Sequence, residues 1–306
     1  MPAPRHQRLR RHLRRGLLAC GVFLLLGVGG LAWVGSRLVA PENHPVGAPP
    51  QDLPLEAFEP SSESLPKIGG WRTRSTDAPA TVLLLHPLHA DRRAMLDRAR
   101  LLHRAGYDVA LIDLPGHGET PAESLAFGWR GRLAVRAALR QLREEDPARP
   151  IGVVGWSLGG ASALLASPLG PEGAKAVVLE SVYPSIREAV HNRLAIRVGS
   201  AASLIRPLLL CQLPLRLGIS VDDLAPIDGL VGLGCPVLLL AGEVDRRTPL
   251  AESERMHAAA RSPRELVIFQ GAGHVDLLKA DPALWERSVL GYLKASLRAS
   301  PSSESS

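Results

Sequence analysis

The residues best suited to chemistry in this chain surround Ser157, in the run Gly155-Trp156-Ser157-Leu158-Gly159-Gly160. A short apolar run, 150–154, precedes this motif, and a helix-forming run, 161–166, follows it. A serine on such a strand-to-helix turn stands above the edge of the sheet, and glycines suit the turn because its backbone is strained and closely packed. The pattern therefore predicts a nucleophilic hydroxyl at Ser157.

A serine hydroxyl is a weak nucleophile, so it needs a base and an acid that orients the base. His274 lies in a glycine-rich loop, 271–276, after the β-rich run 265–269, and Asp245 lies in a polar loop after the apolar run 236–241. Open α/β sheets place their sites in loops at strand ends. We predict Ser157, Asp245 and His274 as the catalytic residues.

Other acidic and histidine residues are weaker alternatives for the acid and the base. Glu180 closes the predicted strand 175–180, and Glu243 stands two residues before Asp245. His117 lies in a glycine-rich turn, where a structural role is expected. Asp276 is expected to orient the loop that carries His274.

An acyl-transfer site also needs two backbone N–H donors for the oxyanion. The backbone N–H of Leu158, directly after the nucleophile, is the first candidate, and that of Leu88, in the loop after the run 81–85, is the second. His89 and Trp156 are candidates for substrate contact.

At this point the chain resembles the α/β-hydrolase family. The matching segments, which span about residues 67–295, are His86-Pro87-Leu88, Asp113-Leu114-Pro115-Gly116-His117-Gly118, the motif around Ser157, residues 242–249 and Gly271-Ala272-Gly273-His274. One departure is Pro87, which fills a position that is usually glycine and leaves Leu88 as the donor. The resemblance implies hydrolysis through an acyl-enzyme on Ser157, without cofactor or metal, as in esterases, lipases, thioesterases and some aminopeptidases.

The pattern along the chain agrees with an α/β fold. Apolar, β-rich runs at 81–86, 108–112, 151–155, 175–180, 236–241 and 265–269 alternate with helical patterns, as a mostly parallel sheet flanked by helices requires. Residues 68–75 are expected to add an edge strand or hairpin. We assign residues 67–298 to this domain, and the polar tail 299–306 is expected to be disordered.

Residues 185–220 do not fit the bare sheet, because they are strongly apolar and interrupted by arginines. Three interpretations remain open for them. They form a helical cap with an apolar acyl pocket over Ser157, or they form ordinary helices covering the sheet, or they dock onto lipid.

The N-terminal residues have the pattern of a membrane anchor. Six arginines lie in the basic leader 1–16, and the uncharged segment 17–36 has about the ~20 residues that span a bilayer. The arginines predict a cytoplasmic N-terminus and an extracytoplasmic catalytic domain, on a single span. A cleaved signal peptide is the alternative. Residues 37–66, rich in proline, are expected to be an extended linker that holds the domain clear of the membrane.

Charge and cysteine content exclude several classes. Without the six leader arginines, the 36 Lys and Arg residues fall to 30, which equals the 30 Asp and Glu residues, so no nucleic-acid partner is expected. Cys211 and Cys235 either pair or are free thiols, and no metal-ligand spacing is present.

The sequence therefore predicts a membrane-anchored serine hydrolase acting on an ester-like bond of a small-molecule or lipid-like acyl substrate. A serine aminopeptidase or an acyltransferase would use the same residues, and a non-catalytic binding module is the remaining alternative. Oligomeric state is not indicated.

Overall fold

The computed structural model describes residues 5–65, 67–169, 173–261 and 263–297. The predicted tail 299–306 and the first residues of the basic leader lie outside the described residues.

The helices and strands follow the predicted alternation. The helices are α1 (Arg5–Leu38), α2 (Leu96–Arg104), α3 (Gly131–Glu145), α4 (Leu158–Leu165), α5 (Ile186–Val198), α6 (Ala202–Leu210), α7 (Gln212–Leu217), α8 (Pro226–Val231), α9 (Leu250–Ala259), α10 (Leu277–Ala280) and α11 (Pro282–Ser296). The strands are β1 (Glu42–Asn43), β2 (Glu56–Ala57), β3 (Gly70–Arg72), β4 (Thr81–Leu85), β5 (Asp108–Ile112), β6 (His117–Gly118), β7 (Ile151–Trp156), β8 (Ala176–Glu180), β9 (Val237–Gly242) and β10 (Arg264–Phe269). All six predicted strands are present, and β3 is the expected edge addition.

Eight strands form one sheet in the order β10-β9-β8-β7-β4-β5-β3-β2. The pairs from β10 to β5 are parallel, and β3 and β2 add antiparallel strands at one edge. Leu85 is in register with Gly155, and Trp156 with Glu180. The loops that follow β4, β7, β9 and β10 therefore emerge at the same edge of the sheet, and they carry the predicted site residues.

Buried side chains form a core on each face of the sheet. One cluster joins the sheet to α3, α4 and α5, with Leu210 and Leu213 from α6 and α7. The other cluster joins it to α2, α10 and α11. The strands β4, β5, β8 and β9 are buried on both faces, which explains why their sequences are continuous apolar runs rather than alternating ones.

The segment predicted to be a free linker, 37–66, instead packs against the domain over its described residues. Val39, Val46 and Phe58 are buried, and β1 and β2 pair with β6 and β3. Prolines are tolerated in this segment because it pairs with other strands over only a few residues. Few of its backbone N–H groups are therefore needed for hydrogen bonds between strands. The described residues of this segment therefore do not form the extended linker that was predicted.

The described residues contain one helical stretch, Ile186–Leu217, that is long and apolar enough to cross a membrane by length and composition, and only 17% of its apolar window is buried. It is not one straight helix: a 3₁₀ turn over Gly199–Ala201 and a turn at Cys211 divide it into α5, α6 and α7. We call these three helices the insert. The described apolar part of α1 is shorter, Leu25–Leu38, so the predicted membrane span stays a prediction.

Candidate active site

Ser157 lies at the sharp turn between β7 and α4. Its backbone has φ 48° and ψ −107°, a conformation that residues other than glycine rarely adopt. The backbone N–H of Ser157 donates to the carbonyl of Glu180 at 2.8 Å, which ties the turn to the end of β8. Such strain persists where the surroundings enforce it, and it is common at functional sites.

The glycines of the motif permit close packing of the turn. A Cβ on Gly159 would overlap the carbonyl oxygen of Leu85, and one on Gly155 would lie 2.5 Å from the Cα of Gly160. The helix α4 can therefore begin directly against β4. This contact is the physical reason for glycine at both positions.

His274 links Asp245 to Ser157. Its Nδ1 lies 2.8 Å from Oδ2 of Asp245, and its Nε2 lies 3.5 Å from Oγ of Ser157. Because a carboxylate only accepts hydrogen bonds, Nδ1 carries the proton and Nε2 presents a lone pair to the serine. The distance of 3.5 Å is long for a hydrogen bond, as is often found in sites without bound substrate.

Asp245 is held by the turn that follows it. Its Oδ1 accepts the backbone N–H groups of Arg247 at 2.7 Å and Thr248 at 2.9 Å, and it is buried. The other oxygen is therefore left for His274. The backbone N–H of Val244 donates to Ala272, so the acid and base loops are joined directly.

The alternative acids point elsewhere. Oε2 of Glu243 accepts the backbone N–H of Gly271, which braces the turn before His274. Glu180 is fully buried and accepts hydrogen bonds from Arg98 and from Nε1 of Trp285. Neither carboxylate contacts His274.

The oxyanion loop is fixed by His86. Its Nε2 accepts the backbone N–H of Leu114 at 2.9 Å, so its Nδ1 carries the proton and donates to the carbonyl of Pro87 at 2.8 Å. The C=O and N–H of a trans peptide point in opposite directions, so the N–H of Leu88 faces away from the His86 ring. Burial lowers the pKa of His86 to about 4, which keeps the ring neutral.

The two proposed oxyanion donors follow neighbouring strands of the sheet. Leu158 is the first residue of α4, where N–H groups have no partner within the helix. Leu88 is half-buried against the core cluster that includes Leu158. The loop carrying Leu88 and the turn carrying Ser157 follow neighbouring strands, β4 and β7.

The two candidates for substrate contact have protein partners. His89 is exposed, and its Nδ1 lies 2.7 Å from Oε1 of Glu42 in the segment after α1. Trp156 is half-buried against the core, with its ring 4.8 Å from the guanidinium of Arg98. A structural role accounts for both contacts, so substrate contact by these residues stays a prediction.

An open cleft of about 540 Å³ lies beside the acid. Asn192, Ala195 and Ile196 of α5 line one side, and residues 243–246 with Pro249 and Leu250 line the other. The insert therefore borders the cleft at Asp245.

Arg98 is fully buried and was not among the residues predicted for the site. It donates to Glu180, and its Nη2 also lies 2.9 Å from Oδ1 of Asp276, two residues after His274. Burial alone would lower the pKa of Arg98, but the two carboxylates more than offset it, and the pKa is raised. The spacing of residues in the sequence could have revealed it. Arg98 lies three residues after Met95, the N-cap of α2, and four before Leu102, so it falls on the apolar face of this helix.

The turn around His117 is structural, as expected. Asp113 is buried, with its Oδ2 2.5 Å from Nη1 of Arg92, and it also accepts the N–H of Glu119. His117 packs edge-on against His86 with ring centroids 5.0 Å apart, and its ring nitrogens have no hydrogen-bond partner. Burial lowers the pKa of His117 to about 4.

The described part of the chain contains free cysteines and no cluster of metal-ligating side chains. Cys211 and Cys235 are free thiols, the first exposed and the second buried. Burial raises the pKa of Cys235 to about 12. No group of three or more His, Cys, Asp and Glu side chains that could hold a metal ion occurs among the described residues.

Comparison with known proteins agrees with the fold. A sequence model described as the Alpha/beta hydrolase family matches residues 69–286. Rv2307c, an uncharacterised protein of Mycobacterium tuberculosis (strain ATCC 25618 / H37Rv), is 32% identical over 216 residues, which cover 69% of each chain. The pimeloyl-[acyl-carrier protein] methyl ester esterase of Neisseria meningitidis (strain DSM 15465 / Z2491) is 26% identical over 72% of this chain and 80% of its own.

Among solved structures, the Pyrococcus furiosus esterase Pf2001 superposes with a TM-score of 0.70 at 20% identity, covering 85% of this chain and 98% of that one. The protein belongs to the α/β-hydrolase family, and its domain has the α/β-hydrolase fold.

Proposed function

We propose that this protein is a membrane-anchored serine hydrolase that cleaves an ester-like bond. The observation that carries the proposal is the position of His274, whose two ring nitrogens face Asp245 and Ser157 at 2.8 Å and 3.5 Å. A base in this position can take the proton of the serine hydroxyl while the acid stabilises the imidazolium that forms.

In the first half of the reaction, Oγ of Ser157 attacks the substrate carbonyl and transfers its proton to Nε2 of His274. The backbone N–H groups of Leu88 and Leu158 stabilise the oxyanion of the tetrahedral intermediate. His274 then gives its proton to the leaving alcohol, and an acyl-enzyme on Ser157 remains.

In the second half, water replaces the alcohol. His274 takes a proton from the water, which attacks the acyl carbonyl, and the same ring returns a proton to Ser157 as the acid leaves. No cofactor enters either half of the reaction.

Three observations favour an ester with an apolar acyl group. Proteins similar to this chain include a pimeloyl-[acyl-carrier protein] methyl ester esterase and the esterase Pf2001. The cleft beside Asp245 is bordered by Ala195, Ile196 and Leu250. The sequence shows no clear acidic pair to hold the free amine of a peptide substrate.

A fluorophosphonate probe tests the nucleophile, because only an activated serine reacts with it. We expect labelling of the parent and none of Ser157→Ala, while both show the same circular dichroism and unfolding midpoint. Ser162→Ala is the matched control, since Ser162 lies one turn along α4 and donates to Leu158 within the helix. Full labelling of Ser157→Ala would exclude Ser157 as the nucleophile.

The acyl group is tested with p-nitrophenyl esters of increasing chain length, measured beside aminoacyl anilides. Cleavage of the esters with kcat/KM rising with chain length is expected. Cleavage of the anilides alone would indicate an aminopeptidase. Analysis of products in the presence of added alcohols separates hydrolysis from acyl transfer.

The proposed anchor is α1. Between residues 18 and 34, the described exposed side chains of α1 are apolar, with Leu25, Leu26 and Trp33 among them, and the flanking arginines favour a cytoplasmic N-terminus. Carbonate extraction should leave the full chain in the membrane, and a C-terminal reporter should be active outside the cytoplasm. Release of a shortened soluble form would show a cleaved signal peptide instead.

A further inference from the structure

We propose that the insert, α5 to α7, is a second membrane contact, which lies on the lipid surface beside α1 and brings the cleft beside Asp245 to the bilayer. The proposal rests on the anchoring by α1 proposed above. The partner it requires is an anionic lipid surface.

The insert exposes large apolar side chains to an unusual degree. Leu204 and Leu208 are 76% and 51% exposed, and Leu215 is 88% exposed. Leu204 and Leu208 stand four residues apart on one face of α6. Isolated exposed leucines are ordinary on a protein surface, but a cluster on adjoining helices marks an interaction site.

The opposite side of the insert is anchored in the protein. Leu209, Leu210 and Leu213 are buried, the last two in the core cluster beneath the cleft. The insert is therefore not free to cross the bilayer, although its length and composition would allow a span. A helix with one face in the protein and an apolar face outward is suited to lie in the interface plane.

The charge of the insert fits an anionic surface. Residues 189–221 contain no Asp or Glu and four arginines, at positions 193, 197, 206 and 216. Arg197 and Arg216 are exposed. Basic side chains are attracted to anionic lipid headgroups, and this attraction adds to the burial of apolar side chains.

Direct contacts place the insert at the end of the proposed span. Arg216 donates from Nη2 to the carbonyl of Ala32 at 2.7 Å and from Nη1 to Oγ of Ser36 at 2.9 Å. Nε2 of Gln212 donates to the carbonyl of Leu31 at 3.3 Å. These partners occupy the last residues of the predicted span 17–36, so at ~1.5 Å per residue α7 lies within roughly 8 Å of its outer end.

The chain after α1 has no slack that could lift the domain away. The carbonyl of Val39 accepts the N–H of Leu125, and the N–H of Glu42 donates to Gly116, within four residues of the end of α1. This short connection therefore keeps the insert close to the end of α1, where its own side chains determine whether it contacts the lipid. The exposed leucines beside α7 then face lipid headgroups or acyl chains.

This placement has a consequence for the substrate. Ile196, which lines the cleft, and Val244, beside the acid, are both exposed apolar residues at the cleft mouth. With the insert on the membrane, an ester held in the bilayer approaches the loop of Asp245 through this cleft without leaving the lipid. The substrate class indicated is an acyl ester resident in the membrane.

Depth-dependent fluorescence tests the contact in the full chain, reconstituted in nanodiscs of phosphatidylcholine and phosphatidylglycerol. The fluorophore NBD is attached to a cysteine introduced as Leu215→Cys or as Glu286→Cys, in a background where Cys20 and Cys211 are serine. Cys235 is retained because it is buried. Glu286 is the matched control because α11 packs on the opposite face of the sheet.

We expect doxyl-labelled lipids to quench the probe at position 215 and not at position 286. We expect aqueous iodide to quench position 215 at least about fivefold less than position 286, as for a side chain seated at the acyl boundary. Adding Leu204→Asp and Arg197→Glu should make the probe at position 215 accessible to quenching by iodide. The rate of cleavage of a water-soluble p-nitrophenyl ester should not change.

Equal iodide quenching at both positions, in protein that resists carbonate extraction, would overturn the docking proposal while leaving the anchor in place. Shielding of position 215 from iodide without doxyl quenching would mean that a protein partner or a second copy covers the surface, which also overturns it. Release of the protein by carbonate would instead refute the anchor.

Discussion

Arg98 and Glu180 form a bidentate ion pair with no exposure to solvent, with Nε to Oε1 at 2.8 Å and Nη2 to Oε2 at 2.5 Å. The pair joins α2 to the end of β8, whose backbone carbonyl at Glu180 holds the N–H of Ser157. Through Asp276, Arg98 also reaches the loop of His274. One buried cation thus braces both the nucleophile and the base.

Breaking this pair should destabilise the protein strongly. Arg98→Met leaves the carboxylate of Glu180 buried without its cation, and such a change costs about 3–5 kcal/mol of the free energy of unfolding. Urea denaturation measures it. Arg104→Met, on the exposed end of the same helix, is the control and should change stability little.

The cost should arise from the unpaired charge and not from lost packing. The double variant Arg98→Met/Glu180→Leu is therefore expected to recover part of the lost stability. This account would be contradicted if the double variant lost more free energy of unfolding than the two single variants lose together.

Asp245→Asn should lower kcat by orders of magnitude, about 10⁴-fold by analogy with the same change in a serine protease triad. The asparagine oxygen can keep the N–H groups of Arg247 and Thr248, so its NH₂ faces Nδ1 of His274. That arrangement favours the proton on Nε2, where the ring cannot act as a base. Ester turnover at saturating substrate measures the effect.

Glu243→Gln is the matched control for the acid. Glu243 contacts the Gly271 turn and not His274, so turnover should remain within a few-fold of the parent. The reverse ranking of the two variants would transfer the acid's role to Glu243.

The motif glycines should differ sharply in tolerance. Gly159→Ala places a methyl group against the carbonyl of Leu85, so the turn must shift, and both stability and probe labelling should fall. Gly273→Ala, directly before His274, has open space around the added methyl group and should leave both nearly unchanged. Equal effects would show that the turn at Ser157 can relax.

The free energy of unfolding should decline as the pH falls, because the two buried histidines His86 and His117 are harder to protonate in the folded protein than in the unfolded chain. Burial holds the pKa of His86 and of His117 at about 4, below the ordinary value of 6.5. The unfolded chain therefore takes up protons first, so stability present above pH 6.5 is lost progressively down to about pH 4, by up to about 3 kcal/mol for each ring.

Denaturation curves at several pH values between about 7 and 4.5 test this dependence. His117→Gln should flatten the pH dependence of the free energy of unfolding, because one of the two titrating rings is removed. Parallel curves for the parent and the variant would be evidence against the assignment.

The local sequence carries enough information for the sheet and the reacting groups. Apolar runs such as 237–242 are buried on both faces, so their strand identity and alternation with helices could be predicted from composition alone. Ser157, Asp245 and His274 each stand in a short loop after such a run, and parallel strands bring those loops to one edge. The order of motifs was therefore sufficient to name residues that lie together in space.

Tertiary structure decided the relationships between distant segments of similar composition. The proline-rich segment after α1 looked like a spacer, but its scattered apolar residues, Val39 and Phe58 among them, find sites on the domain that no local pattern reveals. Arg98 and Glu180 are 82 positions apart, and their pairing depends on how α2 packs against the sheet. The direction of the insert's leucines depends likewise on which of them the core accepts, because burial is a property of the assembled fold and not of the helix alone.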